Sequence, residues 1–402
     1  YWNVPYYHSA MNERKLRPSD IRTKEDLKKL PTISKSTILR NPSAFVSRQI
    51  PRGNCIVLRS SGASGTAILG IPYEKSAIFI HMSVSQRWNY LINEKLKRYF
   101  LVKQAYIMAL GNNFQRIGEF CEKTRFSSLF REFKFLSTLD RPEVNLAKMK
   151  TFRPHVLSSY GSYLELLVRY VGLQDVKWEL PKVVVFSADT LKAEIRRSLE
   201  QTHSCHVLGL YGATEALGIG FECEAHRGYH VCEDYYPVDL VSAKGDYVGE
   251  GESGEVVVSN LTNRAMVILN YRLRDIAVRG EDVCECRRHL PMLSKLEGRV
   301  EDIISLPDGR LVSPISVLSI FDSRSDIGPY QLVQESLVRF EVRIVPLLRG
   351  DNERIEAELS RDLHTLFGED ALIKFKFLPE LPVPESGKLR TVRSNVTLTG
   401  YF

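Results

Sequence analysis

The chain has 402 residues, of which 44% are hydrophobic and 26% are charged. At roughly 150 residues per domain this length predicts two or three domains, and the composition excludes a disordered chain, a collagen and a coiled coil. The formal net charge of +7 suits an anionic partner, but so small a surplus over this length is more typical of scattered surface lysines. We therefore expect no nucleic-acid partner.

The cysteines and the apolar runs indicate in which cellular compartment the protein is expected. Seven cysteines at irregular spacing argue against the disulfide framework of a secreted protein. No N-terminal stretch combines a basic head with an apolar run, and no segment approaches the ~18 uninterrupted apolar residues of a membrane span. These features predict a cytoplasmic protein with no membrane partner, and they leave a homodimer open.

The first hundred residues predict short helices followed by a phosphate-binding arrangement. Residues 1–50 are polar, basic and rich in proline, which predicts short helices between turns, with Ser19 or Thr23 as an N-cap. The apolar run at 54–59 predicts a strand, and the apolar spacing over 74–100 predicts a helix. A glycine-rich stretch lies between them. Strand, glycine-rich loop and helix is the order in which phosphate cradles occur.

The middle of the chain predicts a parallel sheet followed by antiparallel strands. The run at 182–188 has the pattern of a buried strand, and a helix capped by Asp189 or Thr190 follows it. Alternating strands and helices up to about residue 220 predict parallel α/β organisation. The strand-like stretch 221–282, with its glycine-containing turns, predicts antiparallel pairing.

The last hundred residues predict a compact α+β unit. It contains a strand over 334–347, a helix over 352–368 and a strand over 371–381. Histidines outside the motifs described below, His81 among them, show no triad context and are interpreted as structural or surface residues. The aromatic residues between 79 and 106 have helical spacing and are interpreted chiefly as core.

Five short motifs carry residues with chemical roles. The first, SSGASGT at 60–66, places Gly62 and Gly65 where the backbone can turn sharply and direct N–H groups and hydroxyls at phosphate oxygens. It is not a Walker loop, because no Gly-Lys-Ser/Thr follows. An ordinary surface loop is the alternative.

The second motif, YGATEALG at 211–218, puts a hydroxyl and a carboxylate in a glycine-flanked turn. Thr214 can bond a phosphate, and Glu215 can hold a Mg²⁺ whose other ligands are phosphates. Tyr211 can stack on a flat ring. A tight turn with a solvated glutamate is the alternative.

The other three motifs each present charged side chains. In NYRLRDIA, Asp275 ends a strand-like run and can accept ribose hydroxyls, with a paired surface aspartate as the alternative. In LEGRVEDII, Arg299 precedes the acidic residues Glu301 and Asp302. In PESGKLR, a serine-glycine turn presents Lys388, which could neutralise charge on a transferring phosphoryl group.

Two segments carry residues that could bind a metal. Cys223 and His230 lie in one segment, and Cys284 and Cys286 lie in the other. Three thiolates and one imidazole suit a closed tetrahedral Zn²⁺ site, which would pin two β segments together. A set of unrelated buried thiols is the alternative.

Taken in order, the five motifs resemble the signatures of the adenylate-forming superfamily of acyl-CoA synthetases, nonribosomal-peptide adenylation domains and luciferases. SSGASGT is similar to its SSGTTG, YGATE to YGxTE, YRLRD to Y-R-T-G/R-D, GRVED to GRxDD, and PESGKLR to P-x-x-SGKxxR. The resemblance spans roughly residues 20–395. The short chain, an FEC after the second motif and a CEC after the third resemble the phenylacetate–CoA ligase-like branch.

The resemblance implies a role for each matching residue. The residues implied to cradle the ATP phosphates are Ser60, Ser61, Gly62, Ser64, Gly65 and Thr66. The residues implied to surround the adenine and the acyl group are Ser187, Ala188, Asp189, Tyr211 and Gly212. Asp275 would hold the ribose, with Arg299 beside it. Thr214 would contact the α-phosphate, Glu215 would ligate Mg²⁺, and Lys388 would stabilise the transition state of adenylation.

The sequence also departs from the superfamily's pattern. Ala67 stands where a lysine usually follows the glycine-rich loop, and Glu301 replaces the usual Asp or Lys of the hinge. SLPDGRLVSPISV replaces a glycine-rich GxNVFP stretch, and CECRR replaces CxCGR. The third departure bears on the channel for coenzyme A and therefore on the acceptor.

The resemblance implies a large α/β adenylate-forming domain over residues 1–300, with mixed sheets flanked by helices. A small mobile α+β lid over 301–402 would rotate about Glu301. A carboxylic acid, aryl or arylacetic in this branch, would react with ATP to give an acyl-adenylate and pyrophosphate, and coenzyme A would take the acyl group. Two alternatives stay open: an amide ligase or a nucleotidyl transfer to a cofactor, and a non-catalytic nucleotide-binding protein.

Overall fold

The structure, a computed structural model, describes most of the chain. The described residues are 2–60, 68–109, 111–122, 130–173, 180–281, 283–299, 302–312, 314–322, 324, 326–347, 351–381 and 390–396.

The α-helices of the described residues, numbered in chain order, are α1 (Pro5–Glu13), α2 (Lys24–Leu27), α3 (Lys35–Arg40), α4 (Lys75–Leu96), α5 (Asn113–Glu122), α6 (Pro142–Phe152), α7 (Gly161–Leu173), α8 (Ala193–Arg197), α9 (Pro314–Asp322) and α10 (Asn352–Phe367). A π-helical turn, Ser198–Thr202, continues α8. No helix among these residues is both long enough and apolar enough to cross a membrane.

The strands are β1 (Cys55–Arg59), β2 (Gly70–Glu74), β3 (Val102–Met108), β4 (Arg131–Ser137), β5 (Val156–Ser159), β6 (Val183–Ser187), β7 (His206–Tyr211), β8 (Gly220–Glu222), β9 (Tyr229–Val231), β10 (Val238–Val241), β11 (Ser253–Asn260), β12 (Ile268–Arg279), β13 (Met292–Arg299), β14 (Ile304–Ser305), β15 (Leu311–Val312), β16 (Ile327–Gln334), β17 (Arg339–Pro346), β18 (Leu372–Phe377) and β19 (Val392–Ser394).

An eleven-stranded sheet forms the centre of the molecule, in the order β10-β11-β12-β13-β9-β8-β7-β6-β5-β3-β4. The strands from β7 to β4 are parallel, and the pairs from β7 to β10 are antiparallel. The two halves therefore meet at β7. Because ligands of open α/β sheets bind beyond the carboxyl ends of parallel strands, the end of β7 is the place to look for a site.

The parallel strands are apolar on both faces because helices cover both faces of that half of the sheet. All five residues of β6 are buried. On one face, α6 and α7 enclose a core with β3, β5 and β6. On the other face, α4 packs its buried side, which includes Trp88 and Leu91, into the larger core.

The N-terminal fifty residues pack against the antiparallel half of the sheet. The backbone N–H of Ile33 donates to the Asn270 carbonyl (2.9 Å), and the Arg272 N–H donates back to Ile33 (2.9 Å). Further along, the Val267 N–H donates to the Phe45 carbonyl (3.0 Å). This segment is thus fixed to β12 by backbone pairing.

Residues beyond 304 have a core of their own. A four-stranded sheet in the order β18-β17-β16-β19 packs against α9 and α10, and its buried side chains run from Ile304 to Val392. The β14–β15 pair adds Leu306 and Val312 to this core.

Most of the predicted elements are confirmed, and two details are wrong. Thr23 caps α2, as expected, by accepting from the Asp26 N–H at 3.3 Å. The strand expected over 334–347 begins only at Arg339, because 335–338 form the turn that joins β16 to β17. The cap expected of Asp189 or Thr190 is also absent: α8 follows Lys192 without a side-chain cap.

Asp189 caps a different helix. Its carboxylate accepts hydrogen bonds from the backbone N–H of Gly161 and from the Ser162 hydroxyl (2.5 Å), at the start of α7. An acidic side chain at a helix N-terminus satisfies free N–H groups and lies at the positive end of the helix dipole. Since β5 precedes α7 and β6 precedes Asp189, this cap joins two neighbouring strand ends.

Candidate active site

The second motif forms a doubled-back turn at the end of β7. The Ala213 and Ala216 backbones exchange hydrogen bonds, each at 3.1 Å. A Cβ on Gly212 would collide with the carbonyl oxygen of Leu217, so only glycine allows the chain to return this closely. The turn therefore folds residues 216–218 back beside the end of β7.

Glu215 is buried and held by side chains from two strands. The Tyr271 hydroxyl on β12 donates to Glu215 Oε1 at 3.0 Å. The Asn260 amide on β11 donates to the Glu215 carbonyl oxygen at 2.8 Å and to the Tyr73 hydroxyl at 3.0 Å. Tyr73 in turn donates to the Thr214 carbonyl oxygen at 2.8 Å. The turn is therefore fixed from behind by a connected polar network.

Asn113 joins Thr214 to the start of the glycine-rich sequence. Its amide donates to Thr214 Oγ1 (3.0 Å) and to the Arg59 carbonyl oxygen (2.9 Å), and its Oδ1 accepts from the Arg59 N–H (2.9 Å). Arg59 ends β1, and Ser60 follows it. Ser60 exchanges hydrogen bonds with Leu69, which fixes the two ends of the intervening stretch to each other.

Asp275 lies across from the end of β7. Its Oδ2 accepts from the Tyr211 hydroxyl at 2.9 Å. Arg299 is its direct cross-strand partner in the β12–β13 pairing, so its backbone lies beside Asp275. Ser187 ends β6 beside Leu210 of β7, and Ala188 follows with a left-handed φ of 70°. Together with Asp189, these residues line the carboxyl ends of the central strands.

The residues that the structure brings to this end of the sheet are Ser60, Ser187, Ala188, Asp189, Tyr211, Gly212, Thr214, Glu215 and Asp275. The residues that lie outside the described part of the chain are Ser61, Gly62, Ser64, Gly65, Thr66, Ala67, Glu301 and Lys388, together with the side chain of Arg299.

Four side chains that contribute to the site were not singled out from the sequence: Tyr73, Asn113, Asn260 and Tyr271. Tyr271 lies inside the NYRLRD motif, and this position is what could have marked it as a site residue in the sequence. Asn113 follows an apolar strand-like run in the sequence GNNF, a position where polar residues commonly contact ligands in α/β proteins.

The predicted metal-binding residues converge at a second place. Cys223 follows β8, His230 lies on β9, and Cys284 and Cys286 lie in the connection from β12 to β13. Their ligand atoms all lie within 4.8 Å of one another. The Cys223 and Cys284 sulfurs are 3.7 Å apart, and Cys286 Sγ is 3.2 Å from His230 Nε2.

These separations fit a tetrahedral centre. Zinc–sulfur bonds of about 2.3 Å at tetrahedral angles place two sulfurs about 3.8 Å apart. Burial raises the pKa of the Cys223 thiol to about 12, so the thiolate needs a cation to persist at neutral pH. The donor set and its spacing therefore suit Zn²⁺.

Comparisons with known proteins agree with the motifs. Residues 304–395 match the family described as the CapK C-terminal domain. The phenylacetate-coenzyme A ligase of Thermus thermophilus is 25% identical over 98% of this chain and 92% of its own. The enzyme of that name from Escherichia coli is 24% identical over 85% of this chain and 73% of its own.

Solved structures show the same fold. A 2-hydroxyisobutyryl-CoA ligase in the postadenylation state superposes with a TM-score of 0.78 at 16% identity, covering 98% of this chain and 86% of that one. An anthranilate CoA ligase in complex with anthranoyl-AMP gives 0.59 at 15% identity, covering 96% and 74%. The chain thus has the fold of the adenylate-forming ligases and, as its motifs predict, resembles their phenylacetate–CoA ligase branch over nearly its whole length.

Proposed function

We propose that the protein activates a carboxylic acid with ATP and transfers the acyl group to coenzyme A. The observation that carries this proposal is the convergence of Tyr211, Thr214, Glu215 and Asp275 at one end of the sheet of an adenylate-forming fold. The phenylacetate-CoA ligases among the relatives favour an aryl or arylacetic acid.

In the first step a carboxylate oxygen attacks the α-phosphorus of ATP. A new oxygen–phosphorus bond forms, the bond from the α-phosphorus to the bridging oxygen breaks, and pyrophosphate leaves. Asp275 would accept the ribose hydroxyls, and Thr214 would donate its hydroxyl to the α-phosphate. In the structure Asn113 donates to Thr214 Oγ1 (3.0 Å), and the Thr214 hydroxyl donates a long hydrogen bond to the Arg59 carbonyl oxygen (3.4 Å), which it would exchange for the α-phosphate when ATP binds.

Glu215 is the proposed Mg²⁺ ligand. Carboxylate oxygens are the ligands that Mg²⁺ prefers, and the buried Glu215 side chain is fixed by Tyr271. When bound, Mg²⁺ would offset negative charge on the phosphates. The glycine-rich loop and Lys388 would supply further contacts to the phosphates and to the transition state.

In the second step the coenzyme A thiol attacks the acyl carbon of the adenylate, the carbon–oxygen bond to the phosphate breaks, and AMP leaves. We propose that residues 301–402 form a lid that rotates about Glu301 between the two steps. The separate core from Ile304 to Val392 supports this division of the chain at about residue 300.

We also propose that Cys223, His230, Cys284 and Cys286 hold a structural Zn²⁺. The four ligand atoms lie within 4.8 Å of one another, and four protein ligands would close the coordination sphere, as in structural zinc sites. The metal would fix the β12–β13 connection to β8 and β9.

The experiment for the proposed function is ATP–pyrophosphate exchange with a panel of carboxylic acids and Mg²⁺. Acid-dependent exchange, and hydroxamate formation when hydroxylamine is added, are the expected results. Thioester formation with coenzyme A would identify the acceptor, whereas an amide formed from an added amine would identify an amide ligase. Tight ATP binding without exchange for any acid would contradict the proposal and favour a non-catalytic protein.

A further inference from the structure

His81 lies beside the turn that carries Thr214 and Glu215. It is on α4, and a Cβ built on Gly218 would lie 3.3 Å from the His81 ring and 3.0 Å from the Trp88 ring. Gly218 therefore lies directly against both rings, and any larger residue there would push them away.

Gly218 is close to the reacting groups. It is three residues from Glu215, which limits their Cα separation to about 11 Å even in an extended chain. The turn is not extended, because Leu217 returns to contact Gly212 at the end of β7. The His81 ring therefore packs against the end of the turn that carries Thr214 and Glu215.

The His81 ring has an unsatisfied polar atom. Its Nδ1 is buried and has no hydrogen-bond partner among the described residues. Burial lowers the pKa of His81 to about 4, so the imidazole is neutral at pH 7. In this form one ring nitrogen donates a hydrogen bond and the other accepts one. Buried polar atoms in native proteins are nearly always paired, and a missing partner points to a bound group.

The surroundings of His81 are apolar and aromatic. The Trp88 ring centroid is 6.1 Å from that of His81, and Phe221 lies 6.3 Å beyond Trp88. Next to His81 on α4, Met82 contacts Cys121 of α5 through their sulfurs at 3.3 Å. The unpaired Nδ1 of His81 thus lies near aromatic and sulfur-containing side chains. Such surroundings suit a ligand with an aromatic ring that carries one hydrogen-bonding substituent.

We propose that His81 is a specificity-determining residue that hydrogen-bonds a hydroxyl or amino substituent on an aromatic acid. This inference rests on the proposed function, because it assigns the substrate class of the same site. A site built around a hydrogen bond rejects the analogue that lacks the substituent, because the buried nitrogen is then left unpaired.

The test compares matched acids by ATP–pyrophosphate exchange. The pairs are phenylacetate with its ring-hydroxylated forms, and benzoate with hydroxybenzoates and aminobenzoates. For the wild-type protein we expect kcat/KM for one substituted acid to exceed that of its parent by about tenfold or more. In His81→Phe that ratio should fall to about one, chiefly through loss of activity on the substituted acid.

Two further variants separate recognition from folding. His81→Asn keeps polar atoms near the position of Nδ1 and should retain part of the preference. His206→Phe, an exposed position at the opposite end of β7, should leave the ratio unchanged. A wild-type preference for the unsubstituted acids, or an equal loss on both members of a pair in His81→Phe, would overturn the inference. Absence of wild-type exchange with every acid would instead contradict the proposed function.

Discussion

Asn113 connects two motifs that are about 150 residues apart in the chain. Its side-chain amide hydrogen-bonds the backbone of Arg59 and the hydroxyl of Thr214, so it fixes the distance between the start of the glycine-rich sequence and the Thr214 hydroxyl. A residue in this position acts on the reaction through the groups that it holds. Its replacement should therefore change catalysis more than stability.

Asn113→Ala should lower kcat/KM for ATP in the exchange assay by about 10- to 100-fold, because small displacements of phosphate-binding groups cost rates of this size. Glu119→Ala, at an exposed position of the same helix, is the matched control and should change the rate less than about twofold. A variant with normal kinetics and reduced thermal stability would show that Asn113 is only structural.

Tyr271 holds the carboxylate proposed to bind Mg²⁺. Tyr271→Phe removes the hydroxyl that donates to Glu215 Oε1 and should raise the Mg²⁺ concentration for half-maximal exchange by about tenfold, as losses of supporting hydrogen bonds commonly do. Tyr90→Phe, exposed on α4, serves as the control. An unchanged Mg²⁺ dependence would argue against Glu215 as the ligand.

At the scale of elements, a buried ion pair joins α8 to the central sheet. The Arg196 guanidinium contacts both oxygens of Glu222 (2.7 and 2.9 Å), and Glu222 also accepts from the Gly209 N–H at 2.8 Å. Burial alone would raise the pKa of Glu222, but His226 and Arg196 outweigh it and the pKa is lowered from 4.5. The ionised carboxylate is therefore favoured by folding.

The lowered pKa of Glu222 predicts how the stability of the fold depends on pH. Glu222 should contribute stability above pH 4.5 that is lost as the pH falls through its lower folded-state pKa. Glu222→Gln removes the bidentate carboxylate partner of Arg196, whose remaining carboxylate contact, with Glu200, is 3.7 Å long, and should reduce the free energy of unfolding at pH 7 by about 3 kcal/mol. Glu25→Gln, in an exposed pair, should cost less than about 1 kcal/mol. Urea unfolding at pH 7 and pH 3.5 measures both, and a deficit in Glu222→Gln that does not shrink at the lower pH would contradict this account.

The cysteine cluster also belongs to the scale of elements, since it joins the β12–β13 connection to β8 and β9. Protein purified without chelators should contain close to one Zn²⁺ per chain, measured by atomic emission. Cys286→Ser should reduce the metal content and lower the midpoint of thermal unfolding, because binding to the folded state alone stabilises it. The control variant Cys55→Ser should retain the metal content and the midpoint of thermal unfolding of the wild-type protein. A wild-type protein that holds no metal would refute the site.

At the scale of the whole molecule, the chain contains separate cores before and after residue 304. An ion pair between Asp302 and Arg390 joins the two ends of the segment that forms the C-terminal core. We expect a fragment of residues 302–402 to fold by itself and to unfold cooperatively in urea, monitored by circular dichroism. A fragment with no cooperative transition would show that this core depends on the N-terminal residues.

The sequence predicted the α/β class, the order of the elements and the convergence of the metal-binding residues. These follow from local patterns: apolar runs such as 182–188 are buried on both faces, and side chains at strand ends meet at one edge. The polar network behind Glu215 could not be predicted, because Tyr73 and Asn260 are far apart in the chain and neither stands in a motif. The Asp189 cap was assigned to the wrong helix for the same reason, since its partner helix precedes it in sequence.

The pairing of the N-terminal segment with β12 has a consequence during synthesis. Ile33 leaves the ribosome long before its partners Asn270 and Arg272 are made. At about 5–20 residues per second, this delay is on the order of ten seconds or more. The apolar side chains of the first fifty residues must therefore wait unpaired on the nascent chain.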